Sequence, residues 1–395
     1  MHASLNMFGG VLYRESPACA AVYRLSYFLI HPLRIVSGLA PFSTQIARRQ
    51  GILSKGMDTI KNTIGENLGG KAHGITTHPF SLDQVPDLTG KVAVVTGGSE
   101  GIGYGCTHTL LKHNIAKVYV LSISEDAVKG AKEAIAKELG QAAADRTQWI
   151  QCDLSDWKRV KEVAEEITKD SDRLDILINN AGRGIMTYQL TEYGVDRHMA
   201  VNHIGPVVLT SCLLPLMKRT AEEGDFVRIS NQASNVHQAT PNNTEFESLE
   251  ELNRDIGPNA QYGRSKLAAI LYARYLARKV TNAGHPNVLI NATHPGFVST
   301  KMSKEDIFEP FPLGGYAMAV GIEPFKKDQF QGAVSTMFTA TYTRESGQYI
   351  CPPAVPEPGN KQAQDDALAD SLMDLTWKVV MDKMKNEGIE QVCVS

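Results

Sequence analysis

The chain has 395 residues and a formal net charge of −3 at pH 7, with 40 basic and 43 acidic side chains. This slightly acidic balance, without a basic stripe, argues against a nucleic-acid partner. The cysteines lack paired spacing, which argues against a disulfide framework and favours a reducing compartment; they are Cys19, Cys106, Cys152, Cys212, Cys351 and Cys393.

The first 57 residues differ in charge from the rest. They contain six basic residues and one acidic residue, a balance of +5. An arginine-rich, serine-bearing, acid-poor start is typical of a mitochondrial targeting segment. Arg24 and Arg34 interrupt the apolar part and leave residues 25–33 between them, a run far shorter than the ~20 residues that span a bilayer. A membrane-surface anchor at another organelle stays open as the alternative. Residues 58–87 are predicted to be a linker.

A glycine-rich turn follows the first strand-like segment. Residues 92–95 are apolar and mostly β-branched, which favours a buried parallel strand. Gly97, Gly101 and Gly103 come next, and a segment with apolar residues at helical spacing follows through His113. Glycines let the backbone approach a pyrophosphate, and a helix N-terminus offers unpaired N–H groups.

Further strand-like runs alternate with helical segments along the chain. The predicted strands are residues 117–121, 148–152, 174–178, 226–230 and 288–292. Helices are predicted over residues 124–139, from a Ser155 cap through Lys169, and over residues 367–385. Such alternation predicts an α/β fold with a doubly wound parallel sheet, whose ligands lie at the carboxyl ends of the strands.

Two Tyr-x-x-x-Lys pairs occur in a predicted helix. Tyr262 precedes Lys266, and Tyr275 precedes Lys279. Residues four apart project from one helix face, and an ammonium beside a phenol favours loss of its proton below the reference pKa of about 10. Thirteen residues of helix separate the two pairs by roughly 20 Å, so only one pair can serve a given site.

Together these motifs resemble the short-chain dehydrogenase/reductase family, nearest the branch of retinol dehydrogenases and WW-domain-containing oxidoreductases. The resemblance runs from about Leu88 to about Leu375. It depends on Thr96-Gly-(x)3-Gly101-x-Gly103, Cys-Asp153-Leu, Asn179-Asn-Ala-Gly, Val201-Asn202-His, Tyr262-(x)3-Lys266 and His294-Pro-Gly-x-Val298-x-Thr300. It implies a Rossmann-type catalytic domain and an enzyme that uses a nicotinamide cofactor.

The resemblance also implies catalytic roles. Tyr262 would be the general acid/base, and Lys266 would lower its pKa and hydrogen-bond the nicotinamide ribose. Relatives place the catalytic serine after a strand written Arg-Ile-Val-x-Val-Ser-Ser, so Ser234 takes that position here, with Ser230 as a rival if the register is wrong. Asn202 would hold a water in a proton relay.

Further residues would contact the cofactor. The resemblance gives this role to Thr96, Gly97, Ser99, Gly101, Ile102, Gly103, Asp153, Asn180, Tyr262, Lys266, Val298 and Thr300. Asp153 would meet the adenine and Asn180 the adenosine ribose. Ile123 stands where relatives that prefer NADP carry an arginine, and an aspartate that would favour NAD is also missing. Family frequency favours NADP over NAD.

The sequence therefore predicts one catalytic domain after an N-terminal extension. Residues 88–350 would form it, with a substrate lid over 301–330, and residues 351–395 would supply a proline-rich turn and a closing helix. Large apolar side chains in the lid indicate an apolar alcohol or carbonyl substrate. Homo-oligomerisation is compatible with this organisation, and no metal site is expected. The alternative function is a non-catalytic redox sensor or scaffold that binds NAD(P)H.

Overall fold

The computed structural model describes residues 80–296, 298 and 328–385. The predicted targeting segment, most of the predicted linker, Thr300 and nearly all of the predicted lid lie outside the described residues. The strands, helices and contacts given below all lie within residues 80–296, 298 and 328–385.

An eight-stranded sheet forms the centre of the fold. Its strands are β1 (Val92–Thr96), β2 (Lys117–Ser122), β3 (Thr147–Gln151), β4 (Ile176–Asn179), β5 (Val227–Gln232), β6 (Val288–Thr293), β7 (Tyr349–Cys351) and β8 (Val355–Pro356). Their order is β3-β2-β1-β4-β5-β6-β7-β8, and only the β7–β8 pair is antiparallel. From β1 the strand order runs outward to β3 on one side, and from β4 it runs outward to β8 on the other. Sheets of this kind bind ligands in the crevice at that switch, between β1 and β4.

Seven longer helices accompany the sheet. They are α1 (Gly101–Lys112), α2 (Glu125–Leu139), α3 (Trp157–Asp170), α4 (Gly205–Glu222), α5 (Pro258–Leu276), α6 (Gln329–Thr341) and α7 (Asp366–Lys383). One hydrophobic cluster joins α3, α4, α5 and α7 to one face of the sheet, and a second joins α1, α2 and α6 to the other. The predicted doubly wound α/β fold is confirmed.

Residues 92–95 of β1 are all apolar because both faces of this strand are buried. Val92 and Val94 belong to one cluster, whereas Ala93 and Val95 belong to the other. Side chains alternate between the two faces of a strand, and here both faces are covered. The run therefore cannot tolerate a polar residue on either side.

Three sequence-based boundaries differ from the structure. Asp156, not Ser155, caps α3, because its carboxylate accepts the amide hydrogen of Arg159. Residues 80–87 are not all linker, since Phe80 and Val85 are buried. The predicted lid overlaps the start of α6 at Gln329. Isolated apolar residues between polar ones, as at Phe80, give no periodic signal to extend a domain.

One described segment, residues 197–222, is long and apolar enough by composition to cross a membrane. It comprises α4 and the turns before it, and 83% of its most apolar window is buried in the protein. Such burial is the ordinary condition of a core helix.

Candidate active site

In the loop between β1 and α1, the backbone at Gly103 lies very close to the backbone at Gly97. Gly97 and Gly101 adopt left-handed φ values of +63° and +52°, which favour glycine. A Cβ added to Gly103 would stand 2.0 Å from the carbonyl oxygen of Gly97. The Glu100 side chain makes no capping hydrogen bond to α1. The first turn of α1 can therefore offer its N–H groups to an anion such as a pyrophosphate.

Thr96 and Asn180 fasten this loop to the end of β4. The Thr96 hydroxyl oxygen accepts the backbone N–H groups of Asn180 and Ala181, both at 2.9 Å. The Asn180 side-chain amide donates to the Thr96 carbonyl oxygen at 3.0 Å. The amide hydrogens of Asn180 thus position the glycine loop, and its contact with an adenosine ribose stays a prediction.

Serines surround the end of β2, where the adenosine is expected. The Ser99 hydroxyl donates to Ser122 Oγ at 3.1 Å, and Ser124 caps α2 by accepting the Ala127 N–H. Ile123 is 65% exposed. An apolar side chain at this position provides no charge with which to select between NAD and NADP.

Asp153 initiates a turn. Its Oδ1 accepts both the backbone N–H and the hydroxyl of Ser155 at 2.8 Å. Two hydrogen bonds from its own turn satisfy that oxygen, which fits the structural role of an aspartate after a strand. Its contact with an adenine is a separate prediction that this geometry does not test.

Ile102 and Val298 meet at the first turn of α6. A Cβ on Gly332 would stand 2.7 Å from Val298 Cγ2 and 3.2 Å from Ile102 Cγ1. The glycine allows α6 to close over these two side chains, which places two of the predicted cofactor contacts beside each other. Their predicted partner Thr300 lies outside the described residues.

Lys266 occupies a buried position in the first half of α5. Its side chain is only 4% exposed, and its Nζ donates to the carbonyl oxygen of Gln232 at 2.9 Å. The same Nζ lies 5.5 Å from the centroid of the Tyr262 ring. Burial lowers the pKa of Lys266 to about 8, since removal from water disfavours the charged form. The predicted pair is therefore a phenol beside a desolvated amine.

Asn202 lies in a π-turn, Ala200–Ile204, a local irregularity that often marks functional sites. Its Oδ1 accepts the Arg183 N–H at 2.6 Å, and its Nδ2 donates to Ser265 Oγ at 2.8 Å. The Ser265 hydroxyl in turn donates to the Tyr262 carbonyl oxygen at 2.8 Å. Asn202 is thus connected through one hydroxyl to the backbone of the catalytic tyrosine candidate.

Gly182 lies between Asn202 and Lys266. An added Cβ would stand 3.0 Å from Asn202 Oδ1 and 3.3 Å from Lys266 Nζ. The structure therefore brings the two predicted residues together around one glycine. The sequence motif contained Gly182 but gave it no role, and nothing in its local pattern identifies its neighbours.

Ser234 lies two residues after the end of β5 and caps a 3₁₀ turn, Asn235–Ala239. Its Oγ accepts the Val236 N–H at 3.2 Å. A Cβ on Gly263 would stand 2.6 Å from the Val236 carbonyl oxygen, so this turn packs directly on α5 beside Tyr262. The rival Ser230 lies inside β5, fully buried, with its hydroxyl hydrogen-bonded to Thr339. Ser234 is therefore the serine available at the strand end.

The second Tyr/Lys pair lies at the C-terminal end of α5, with Tyr275 in its last turn and Lys279 in the π-turn that follows, Ala277–Thr281. Lys279 is exposed, and its Nζ lies 5.6 Å from the Tyr275 ring. Arg278 also lies over that ring, at 5.8 Å, and forms an ion pair with Asp370 of α7 at 2.8 Å. These contacts dock α5 on α7.

Three histidines flank the candidate site and are buried. Burial lowers the pKa of His203 to about 3 and that of His237 to about 4. His237 Nδ1 is 2.8 Å from the Ser234 carbonyl oxygen, and His294 is 1% exposed. Neutral, buried imidazoles fit a structural role for His203 and His237. Within residues 80–296, 298 and 328–385, no group of three His, Cys, Asp or Glu side chains is placed to bind a metal.

Comparisons with known proteins identify the family of the chain. The short chain dehydrogenase family model matches residues 91–243. A Neurospora crassa protein named oxidoreductase bli-4, mitochondrial, is 56% identical over 368 residues, with 92% of this chain and 89% of that protein covered. The chain belongs to the short-chain dehydrogenase/reductase family. Short chain dehydrogenase/reductase dpchH of Colletotrichum higginsianum is 35% identical over 319 residues and is covered to 77%, with 76% of this chain.

A solved structure shares the fold of this short-chain dehydrogenase/reductase. A blue fluorescent protein from a metagenomic library, in complex with NADPH, is 25% identical and has a TM-score of 0.50, with 67% of this chain and 97% of that chain covered. Family membership makes the protein an NAD(P)-dependent oxidoreductase that acts on small molecules. The family and the enzyme class predicted from the motifs are confirmed.

Proposed function

We propose that the enzyme interconverts an alcohol and its carbonyl at the first half of α5, with Tyr262, Lys266, Ser234 and Asn202 as the working residues. The observation that carries the proposal is the buried Lys266. Burial of this amine costs free energy, because it lowers the pKa to about 8 and the carbonyl oxygen of Gln232 satisfies only one of its donors. Such a cost beside a phenol supports a functional role. Strongly perturbed pKa values in a cleft are typical of functional sites.

The glycine loop fits a dinucleotide. The close approach of Gly103 to Gly97 and the uncapped start of α1 form a cradle that a Cβ would fill. A bound nicotinamide cofactor would supply or accept the hydride at the substrate carbon. In reduction, one hydride reaches the carbonyl carbon and one proton reaches the oxygen; oxidation reverses both transfers.

The protein residues move the proton and orient the oxygen. Tyr262 gives its hydroxyl proton to the developing alkoxide, while the Ser234 hydroxyl donates a hydrogen bond to the same oxygen. Lys266 is still mostly protonated at pH 7, one unit below its pKa of about 8, so its charge favours the phenolate of Tyr262. Asn202 holds the Arg183 backbone and Ser265, which keeps the first turns of α5 in register with β4.

NADP(H) is the proposed cofactor, with NAD(H) as the competitor. The blue fluorescent protein that shares the fold was solved with NADPH, which supports NADP(H) over NAD(H). Ile123→Arg would place a guanidinium where a 2′-phosphate is expected, and we expect the ratio of NADPH to NADH affinity to rise about tenfold or more. Ile123→Leu is the matched control. An unchanged ratio in Ile123→Arg would mean that the adenosine does not lie beside β2.

The proposed substrate is an apolar alcohol or carbonyl. Its support is the sequence of the predicted lid, which carries large apolar side chains: Met302, Phe308, Phe311, Leu313, Tyr316, Met318, Val320, Ile322 and Phe325. These residues lie outside the described part of the chain, so the substrate class is an inference from composition.

The proposed location is the mitochondrion. The bli-4 relative is named mitochondrial, and its match covers 92% of this chain, more than residues 58–395 alone can supply. The match therefore includes part of the basic N-terminal region. Deletion of residues 1–57 should disperse a tagged protein into the cytosol, and retained mitochondrial location would place the targeting signal elsewhere.

Titration of the full-length protein with NADPH and NADH, followed by a panel of apolar aldehydes and ketones, tests the proposal. Binding with turnover of at least one carbonyl is the expected result. Binding without turnover of any panel member would favour the sensor function. Failure of folded protein to bind either nucleotide would contradict the cofactor assignment.

A further inference from the structure

A small cavity lies behind the candidate site. It is lined by the ends of β4 and β5, the π-turn that carries Asn202, the start of α4, and α5, and it offers about 10 Å³ to the centre of a water-sized sphere. Asn179, His203 and Gln232 are among its lining residues. A volume of this size holds about one water molecule.

Four lining residues carry buried polar atoms without a hydrogen-bond partner in the described part of the chain. These atoms are Nδ1 of His203, Oδ1 of Asn179, Nε2 of Gln232 and the hydroxyl oxygen of Tyr272. The four residues are 1%, 4%, 8% and 2% exposed. Buried polar groups in proteins are nearly always satisfied by protein or ordered water, so four such atoms around one cavity indicate a common ligand.

The hydrogen-bond pattern fixes the tautomer of His203. The Thr376 hydroxyl donates its hydrogen to the Leu372 carbonyl oxygen at 2.7 Å. Thr376 Oγ1 lies 2.8 Å from His203 Nε2 and can therefore only accept from it. Since burial lowers the pKa of His203 to about 3, the ring is neutral at pH 7. The proton is on Nε2, and Nδ1 is left as an acceptor.

Asn179 presents a second acceptor. Its Nδ2 donates one hydrogen to Thr210 Oγ1 and the other to Asn231 Oδ1, both at 3.0 Å. Its Oδ1 is consequently an acceptor. An occupant that satisfies Asn179 and His203 must donate two hydrogens, and an anion or an apolar atom cannot do so.

Gln232 supplies the complementary donor. Its Oε1 accepts from the hydroxyls of Thr293 and Thr336, at 3.2 and 2.8 Å, so its Nε2 hydrogens are the groups left to bond. A single water donates twice and accepts from such an amide. The size of the cavity and the donor–acceptor pattern of its lining thus agree on the same ligand.

We propose that this cavity is a binding site for one buried water molecule, held by His203 and Asn179, and that His203 is a positioning residue for the neighbouring Asn202. The water bridges the π-turn to the end of β4. Without the bridge, the backbone of Asn202 would be free to shift relative to Gly182 and Lys266. The effect on turnover rests on the proposed function, whereas the water site does not.

Two substitutions of His203 separate the contributions of its two ring nitrogens. His203→Asn can keep an acceptor near the position of Nδ1 but loses the bond to Thr376. His203→Gln can keep the bond to Thr376 but loses the acceptor toward the cavity. Thr376→Val is the control that removes the partner of Nε2 and leaves Nδ1 in place.

The first test is a high-resolution crystal structure of the full-length protein. We expect one water within hydrogen-bond distance of His203 Nδ1 and Asn179 Oδ1, and the same water in His203→Asn but not in His203→Gln. A cavity closed by side chains, or no water density in the wild-type protein, would overturn the site. Nitrogen-15 NMR of the His203 ring provides a check that needs no variant, since a proton on Nδ1 would also contradict it.

The second test is kinetic. We expect His203→Gln to lower kcat about tenfold, a loss typical of small misplacements in a site, while the KM for the nucleotide changes by less than about twofold. His203→Asn and Thr376→Val should retain most of the wild-type kcat. Equal losses of kcat in all three variants would mean that His203 contributes only to packing, and would overturn its positioning role. Absence of nucleotide binding by the wild-type protein would instead contradict the proposed function and leave the water density unaffected.

Discussion

The two Tyr/Lys pairs of α5 have the same spacing but different surroundings. Lys266 is buried, hydrogen-bonded to Gln232, and has a pKa lowered to about 8. Lys279 is exposed, and the pair it forms with Tyr275 lies beside the ion pairs that join α5 to α7. The spacing of the motif is therefore insufficient to assign chemistry.

The difference follows from position along the helix. The first turns of α5 pack against the turn after β5, at the carboxyl edge of the sheet, where Gly263 allows close approach. Three to four turns later the helix has moved away from that edge by roughly 20 Å. A buried amine at the first position would tune the proposed proton donor, whereas the exposed amine at the second lies at the surface.

The largest expected effect separates the two tyrosines. Tyr262→Phe removes the proposed proton donor and should lower turnover by about 10²- to 10⁴-fold with nucleotide affinity largely retained. Tyr275→Phe should keep turnover within about twofold. Steady-state assays with the best carbonyl of the panel measure both. A larger loss in folded Tyr275→Phe than in Tyr262→Phe would reverse the assignment.

The lysines should differ in both activity and stability. Lys266→Met should abolish most turnover, yet raise the free energy of unfolding at pH 7 by up to about 3 kcal/mol, because it removes a desolvated amine whose pKa is lowered from 10.5 to about 8. Lys279→Met should change neither quantity appreciably. Urea unfolding without nucleotide measures the stability. A lower free energy of unfolding in Lys266→Met would show that the hydrogen bond from Lys266 to Gln232 stabilises the folded state by more than burial of the amine costs.

The same lysine predicts a pH dependence. Below pH 8 both the folded and the unfolded states protonate Lys266, and the folded state bears the full cost of burying the charge. Between about pH 8 and 10.5 the unfolded state binds more protons, so this residue makes stability rise with pH. The difference in stability between Lys266→Met and the wild-type protein should therefore shrink across this window. A constant difference would refute the lowered pKa.

The smallest effect concerns the ion pair at the second end of the helix. Arg278→Ala breaks the contact with Asp370, and because Arg278 is 31% exposed we expect a loss below about 1 kcal/mol. Turnover per folded molecule should stay unchanged. Thermal unfolding and the steady-state assay provide the two measurements, and a strong loss of turnover would connect this end of α5 to catalysis.

Much of the fold was predictable because its signals are local. Each of the six predicted strands occurs, with ends that shift by one or two residues, since apolar runs bounded by turns report buried parallel strands directly. The pair β7–β8 was missed. Its strands have three and two residues, and the prolines around them resemble a chain break.

The candidate site was predictable only as far as motifs identify residues. The positions of Ser234, Tyr262, Lys266 and Asn202 followed from the resemblance to the family. The function of Gly182 as the spacer between Asn202 and Lys266 did not, nor did the hydrogen bond from His203 to Thr376, which are 173 residues apart. Contacts between distant segments leave no periodic pattern in the sequence.

Transfer of deuterium from C4-deuterated NADPH to a carbonyl tests the central claim most directly. Mass spectrometry of the alcohol after a single turnover should show deuterium on the former carbonyl carbon for the wild-type protein and for Tyr275→Phe at similar rates. The same transfer should be slower by about 10²-fold or more in Tyr262→Phe. Equally fast transfer in Tyr262→Phe would contradict the assignment of the catalytic pair.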